Sequence, residues 1–307
     1  MPHKTDKSIF YSSAQSPLFR GLDISFVLTS RLGGNSKPPY DSLNLAYHTN
    51  DTTKAVAQNR AKILSTYFPK KRLIFCDQVH SNTILTPAKI LSQNLQSPHK
   101  QHLQNPQTQG LLESNLGQGD GIFCANQNLV ALILVADCNP VLIYDSSLGA
   151  FVALHAGRAG VCANILTNGV ETLLAQGANV QNLRVFIGAS IRVCCYEVGD
   201  DLAGQIMRDF DTKYIQKRSG KYFLDLPLML RNECENLGIL RENIEVLNVC
   251  SCCEEGLFSY RRAYKKHKQS YALASKNTLK QALNATQDKN KIAPIQTGRF
   301  GLFVSLK

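Results

Sequence analysis

With 307 residues, 44% of them hydrophobic, the chain is long enough to bury one substantial core, and no break in composition divides it. The formal net charge is +11, but nine basic residues and one acidic residue fall between Arg261 and Lys291, so most of the surplus is local and does not by itself mark a nucleic-acid protein. No apolar run approaches the ~20 residues of a membrane helix and Met1 to Arg20 lacks a signal-peptide core, so a soluble, cytoplasmic protein is expected, without membrane contact and monomeric.

In chain order, Asp23 to Thr29 alternates apolar and polar residues as a strand does, and Gly33-Gly34 with Pro38-Pro39 then forces a loop that runs into Ser42-Leu43-Asn44-Leu45. Asp51 or Thr52 is placed to cap a helix through about Phe68, with Val56, Ile63, Leu64 and Tyr67 on the face that also carries Arg60. The stem of Arg60 is expected to pack while its head reaches solvent. Arg72 to Val79 reads as a strand and leaves His80 at its end. Residues 92–118, rich in Gln, Asn, Ser, Pro and His, read as a surface insertion. The turn Gly119-Asp120-Gly121 then starts the strand Ile122-Phe123-Cys124.

Val130 to Val135 is a continuous apolar run, which fits a strand buried on both faces. Val141 to Tyr144 and Ala150 to Leu154 flank the turn Asp145-Ser146-Ser147-Leu148-Gly149 as the arms of a hairpin. If Asp145 faces Ala150, antiparallel pairing sets Pro140 opposite His155, so Cys138 and His155 meet at one end of the sheet. A helix is expected from about Cys162 to Ala175, its free N–H groups available to an anion beside that end. Further on come a strand at Leu183 to Ile187, the loop Cys194-Cys195-Tyr196, helices over 201–210 and 226–237, and a strand at Ile244 to Val249. Leu257 to Arg262 is the last ordered piece before a basic insertion over 263–296, and Leu302 to Leu306 is the terminal strand.

His80, Cys138 and His155 thus stand at strand ends, and two imidazoles with one thiolate suit zinc in a catalytic site, where a fourth position stays open. The same pair without metal is a thiolate nucleophile with its base, as in cysteine hydrolases, with His80 orienting the substrate. Cys250 and Cys253 form a CxxC that is read with Cys194-Cys195 either as a structural zinc or redox cluster or as unrelated reduced cysteines. With no signal sequence on so long a chain, the ten cysteines are expected to be reduced.

The segments 30-SRLGGNSKPPYDSLNL, 78-QVHSN, 119-GDGI, 136-ADCNPVLIYD, 155-HAG, 187-IGASIRVCCYEVG, 258-FSYRR and 297-TGR, in this order, resemble the bacterial laccase-domain, or polyphenol oxidase-like, proteins of the YfiH family, described as purine nucleoside phosphorylases. The resemblance implies an α+β fold, a single-domain layered αββα sandwich over residues 1–307 with surface insertions at about 92–118 and 263–296. It implies zinc (Zn2+) held by His80, Cys138 and His155, the same residues being catalytic, with purine nucleosides and phosphate as partners. The implied reactions are phosphorolysis of adenosine, inosine and methylthioadenosine, and deamination of adenosine. Within that reading Arg31, Arg158 or the N-terminus of the Cys162 helix hold phosphate, Asn44 and Gln78 bond the sugar or base, and Asp137 orients a ligand or moves a proton. Turn and capping roles are the plain alternative for Asn44, Gln78 and Asp137. The family continues HAG with Trp-Arg, whereas this chain has Arg158-Ala159, so stacking or anion binding there is expected to differ. Copper oxidase chemistry needs a His-rich ligand set that seven histidines, two of them at matched sites, do not supply. The runner-up is a cysteine-type hydrolase acting through Cys138 and His155 on peptidoglycan precursors.

Overall fold

The structure is a computed structural model that describes residues 6–87, 111–278 and 295–307. Its strands are β1 (Ile9–Ser12), β2 (Ile24–Thr29), β3 (Arg72–Asp77), β4 (Ile84–Leu85), β5 (Glu113–Gln118), β6 (Gly121–Cys124), β7 (Leu129–Val135) and β8 (Asn139–Asp145), then β9 (Ala150–Ala156), β10 (Leu183–Ile187), β11 (Glu197–Val198), β12 (Ile215–Arg218), β13 (Lys221–Leu224), β14 (Ile244–Val246) and β15 (Phe300–Leu306). The helices are α1 (Thr53–Tyr67), α2 (Arg158–Cys162), α3 (Ile165–Leu174), α4 (Asp200–Asp209), α5 (Leu226–Asn236) and α6 (Tyr260–Thr278).

Two six-stranded sheets, ordered β1-β2-β15-β7-β3-β5 and β14-β10-β8-β9-β6-β4, face each other, and a small sheet β11-β13-β12 stands beside them. The alternation of side chains along a strand explains why β7, β8 and β9 are apolar throughout. Ala131, Ile133 and Val135 of β7 meet Leu142 and Tyr144 of β8 and Phe151 and Ala153 of β9 in the core between the sheets. The intervening residues Val130, Leu132 and Leu134 turn outward to Ile63 and Leu64 of α1. Val141, Ile143, Val152 and Leu154 turn the other way, under Leu166 and Val170 of α3 and Leu230 of α5. The result is the expected α+β sandwich, layered helix, sheet, sheet, helix.

The hairpin register is the expected one: Asp145 pairs with Ala150 and Pro140 with His155. Because β3 runs parallel to β7, their C-terminal ends open on the same edge, where the chain crosses from the first sheet to the second through Ala136, Asp137 and Cys138. That edge collects the ends of β3, β7 and β9 and the start of β8.

Several expectations are corrected. Arg60 is not solvated: it is 1% exposed, its Nη1 lies 2.8 Å from a carboxylate oxygen of Glu113, its Nε donates to Leu45 O, and its guanidinium stacks between Tyr47 and Phe75. Glu113 belongs to β5, so residues 113–118, expected at the end of a surface insertion, form a strand parallel to β3; residues 88–110 lie outside the described residues. The helix expected from Cys162 starts instead at Arg158 and is broken at Asn164, whose φ of 63° is left-handed, so no helix N-terminus exists at Cys162. The strand expected to reach Val249 ends at Val246. The start of the 263–296 segment continues α6 to Thr278, and residues 279–294 lie outside the described residues.

Candidate active site

His80, Cys138 and His155 come together as the sequence leads one to expect: one ligand atom from each lies within 4.8 Å of the others, and the Cys138 sulfur is 3.9 Å from His80 Nε2. The backbone permits this approach at Gly157, the glycine of the HAG motif. A Cβ there would stand 2.9 Å from a His80 ring carbon and 3.0 Å from the Cys138 sulfur. The His80 and His155 rings meet edge to face with centroids 4.8 Å apart.

The residue that sets both histidines is Asp120, which the sequence shows only as part of a turn. Its carboxylate is buried and accepts from the N–H groups of Val79, His80 and Ser81 at 3.2, 3.0 and 2.6 Å, and from the Ser81 hydroxyl at 2.8 Å. It also lies 2.7 Å from His155 Nδ1. These bonds accompany a left-handed backbone at His80, φ 61°, which is uncommon outside glycine. The bond to Nδ1 fixes the orientation of the His155 ring and leaves Nε2 as the nitrogen that would carry a metal once its proton has left.

Electrostatics favour charged donors. Burial would raise the Cys138 thiol, but the charge of His155 and hydrogen bonds from His155 and His80 bring it down to about 6. Burial would lower His155, yet the Cys138 sulfur and the Asp120 carboxylate lift it to about 9. Burial would raise Asp120, and the bonds from His155 and Ser81 hold it at about 2. A site that already stabilises a thiolate fits a soft or borderline dication, and a thiolate and an imidazole on one zinc ion lie about 3.5 Å apart, close to what is observed.

A pocket of about 360 Å³ opens above the trio, lined by His48, Gln78, Asp137, Arg158, Tyr196, Tyr260, Arg261 and Arg299 among others. Of the residues expected to contact substrate, Arg158 lines it. Gln78 and Asp137 line it with their polar groups already engaged. The Gln78 amide donates to Leu134 O at 2.7 Å and accepts from Leu134 N at 2.8 Å. Asp137, at φ 100°, accepts from the Ser251 hydroxyl and from Arg261 N, each at 2.7 Å. Arg31 and Asn44 are not brought into the pocket. Arg31 is bonded to Asp41 at 3.0 Å and lies over the Phe258 ring. Asn44 is fully buried and accepts from Arg299 N at 2.9 Å, so it places Arg299 rather than a substrate. Sequence reasoning gave no role to Arg261, Arg299, Tyr196, Tyr260 or His48, although the FSYRR, TGR and CCYEVG segments that carry four of them stood out as motifs.

Residues 25–273 match the family described as multi-copper polyphenol oxidoreductase laccase. The chain belongs to this laccase-like family. A purine nucleoside phosphorylase of Mycobacterium bovis is 29% identical over 237 residues, covering 77% of this chain and 86% of that protein. The purine nucleoside phosphorylase YfiH of Escherichia coli K12 is 29% identical over 239 residues, 76% of this chain and 86% of the relative. The crystal structure of Bacillus licheniformis YfiH superposes with a TM-score of 0.72 at 25% identity, over 96% of this chain and 99% of that one. Laccase-like membership thus comes with relatives named for nucleoside chemistry. Among the described residues no helix is long and apolar enough to cross a membrane.

Proposed function

We propose that this chain is a zinc-dependent purine nucleoside phosphorylase that takes adenosine, inosine and methylthioadenosine with inorganic phosphate, and that the same pocket deaminates adenosine. The observation that carries this reading is the convergence of Arg158, Arg261 and Arg299 on the pocket whose floor is His80, Cys138 and His155. Among the described residues none of these arginines has a carboxylate within ion-pair distance, so their charge is available to an anion. The relatives' names supply the substrate class. The volume falls within the ~300–1,000 Å³ typical of small-molecule sites.

The zinc ion would be held by His80, the Cys138 sulfur and His155 Nε2, and it supplies Lewis-acid chemistry, which acidifies a water and polarises an oxygen. The arginines gather phosphate against C1′ of the ribose. A phosphate oxygen bonds C1′ as the C1′–N9 bond breaks, and the purine leaves with the electron pair and the proton that phosphate gives up. Tyr196 and Tyr260 offer ring faces to the purine. Asp120 keeps its proton on His155 Nδ1, and Asp137, through its bond to Arg261 N, holds the start of α6 against the pocket.

Adenosine incubated with the zinc-loaded protein, with and without phosphate, tests the reading. Adenine and ribose 1-phosphate should appear only with phosphate, and inosine without it. Arg158→Ala should raise the phosphate KM at least about ten-fold while zinc content stays unchanged. No turnover at zinc saturation contradicts the proposal. One observation favours a second reading, the cysteine hydrolase acting on peptidoglycan precursors: the lowered Cys138 thiol beside a raised His155 is what such a nucleophile requires. That activity would survive chelation and be lost to iodoacetamide.

A further inference from the structure

A second group of donors lies outside the pocket. Cys194 and Cys195 follow β10, and Cys250 and Cys253 lie in the loop after β14; the two strands are parallel neighbours, so both loops leave the sheet at the same edge. Cys250 bridges to Ser190, and Ser251 N donates to Ser190 O at 3.0 Å, which ties the loops together. Their four sulfurs all lie within 4.8 Å of one another, with Cys253 at 3.8 Å from Cys194 and 3.4 Å from Cys195. Four sulfurs at ~2.3 Å from a common centre sit about 3.8 Å apart along the edges of a tetrahedron. A disulfide instead joins two sulfurs at ~2.05 Å and leaves two idle. All four cysteines are free thiols.

The surroundings suit an anionic centre. The CxxC turn is closed by Cys253 N and Glu254 N, which donate to Cys250 O at 3.1 and 2.9 Å. The Arg262 guanidinium donates to the carbonyls of Ser251, Cys252 and Glu254 at 2.7, 3.1 and 3.0 Å. Arg261 donates to Cys195 O at 3.0 Å, and the buried Arg192 to Val249 O at 3.2 Å. Among the described residues none of these three arginines has a carboxylate within ion-pair distance. Four thiolates around one dication carry a net charge of about −2, and Arg192 and Arg262, neither paired with a carboxylate among the described residues, stand on the carbonyls around it.

We propose that Cys194, Cys195, Cys250 and Cys253 form a second, closed zinc site that braces one wall of the pocket. Its four thiols release their protons as zinc binds, and no position is left for water. The bracing runs through named contacts: Tyr196 adjoins Cys195, Arg261 bonds Cys195 O, and the hydroxyl of Ser251, next to Cys250, holds the Asp137 carboxylate beside Cys138.

The test counts metal in the full chain and does not depend on the nucleoside reading. Protein purified reduced and without chelator should carry two zinc ions per chain. Cys138→Ala with His155→Ala should leave one, and its cobalt form should show thiolate-to-cobalt charge transfer of four-sulfur intensity. Cys250→Ser with Cys253→Ser should also leave one, with the cobalt spectrum of a single sulfur ligand. An unchanged metal count in this second variant, or a Cys195–Cys253 disulfide in the reduced preparation, overturns the proposal. Should the second variant not fold, mercurial titration of the parent decides: one zinc released per four thiols supports the site, and two zinc released by a single thiol each overturn it.

Discussion

His80, Cys138 and His155 offer three donors at the floor of a pocket of about 360 Å³, whereas Cys194, Cys195, Cys250 and Cys253 offer four donors and line no part of it. The first set stands on strand ends in a two-sided core, gathered by one buried carboxylate. The second stands on two loops whose carbonyls are gripped by arginines. Three donors and open space suit chemistry on a substrate, and four donors with no opening suit cohesion. Donor type is nearly the same in both; the count, and the backbone that carries the donors, separate the two uses.

The sharpest way to break this contrast is Asp120→Ala. It strands the Ser81, His80 and Val79 N–H groups and His155 Nδ1, so metal affinity at the pocket and turnover should each fall by about 10–100-fold or more. Loss of one partner of a buried ion pair should lower stability by roughly 3–5 kcal/mol, read by urea unfolding. The cysteine site should keep its zinc, so the metal count drops by one and not by two.

Gly157→Ala should act next most strongly. The residue sits at φ −75°, which alanine adopts without strain, so any effect arises from the added Cβ pressing on His80 and Cys138. Weaker metal binding by chelator competition, with little change in unfolding midpoint, is expected. An unperturbed affinity would mean that the trio is looser than the structure shows.

A smaller effect separates the thiols themselves. With metal stripped, Cys138 should be half-ionised near pH 6, because its pKa lies well below the ordinary thiol value, so its alkylation should climb through pH 6 and level off above about pH 7. Cys76, which burial pushes to about 12, should stay unreacted over that range. Mass mapping of iodoacetamide adducts between pH 5 and 8 reads both. Smallest of all, Lys221→Ala removes an exposed 2.9 Å pair with Glu197, two residues from Cys195, and should cost at most about 0.5 kcal/mol with both metals retained.

What the sequence made legible follows one physical rule, that local periodicity is visible and distant pairing is not. Val130 to Val135 and the hairpin with Pro140 opposite His155 were readable because strand alternation and a short turn fix register within a few residues. Asp120 was not, since its bonds to residues 79–81 depend on β4 lying beside β6 and reach some 40 positions along the chain. Arg60 was misjudged for the same reason: its partner Glu113 is 53 residues away, across a polar stretch that hides a strand. Arg261 and Arg299 sat in visible motifs, but nothing local shows that both turn to one pocket. The break at Asn164 was likewise invisible, because the apolar spacing continues across it.

On the reading proposed above, His80 and His155, set by Asp120, join Cys138 in holding the metal that makes this pocket a nucleoside-cleaving site. The most direct measurement is zinc content and phosphate-dependent adenine release, on the same preparations, for the parent chain and for Cys138→Ala with His155→Ala. The double variant should lose one zinc per chain and with it all adenine release, while remaining folded. Full zinc content in the double variant, or adenine release that persists without the lost zinc, would show that these residues do not hold a metal the reaction needs.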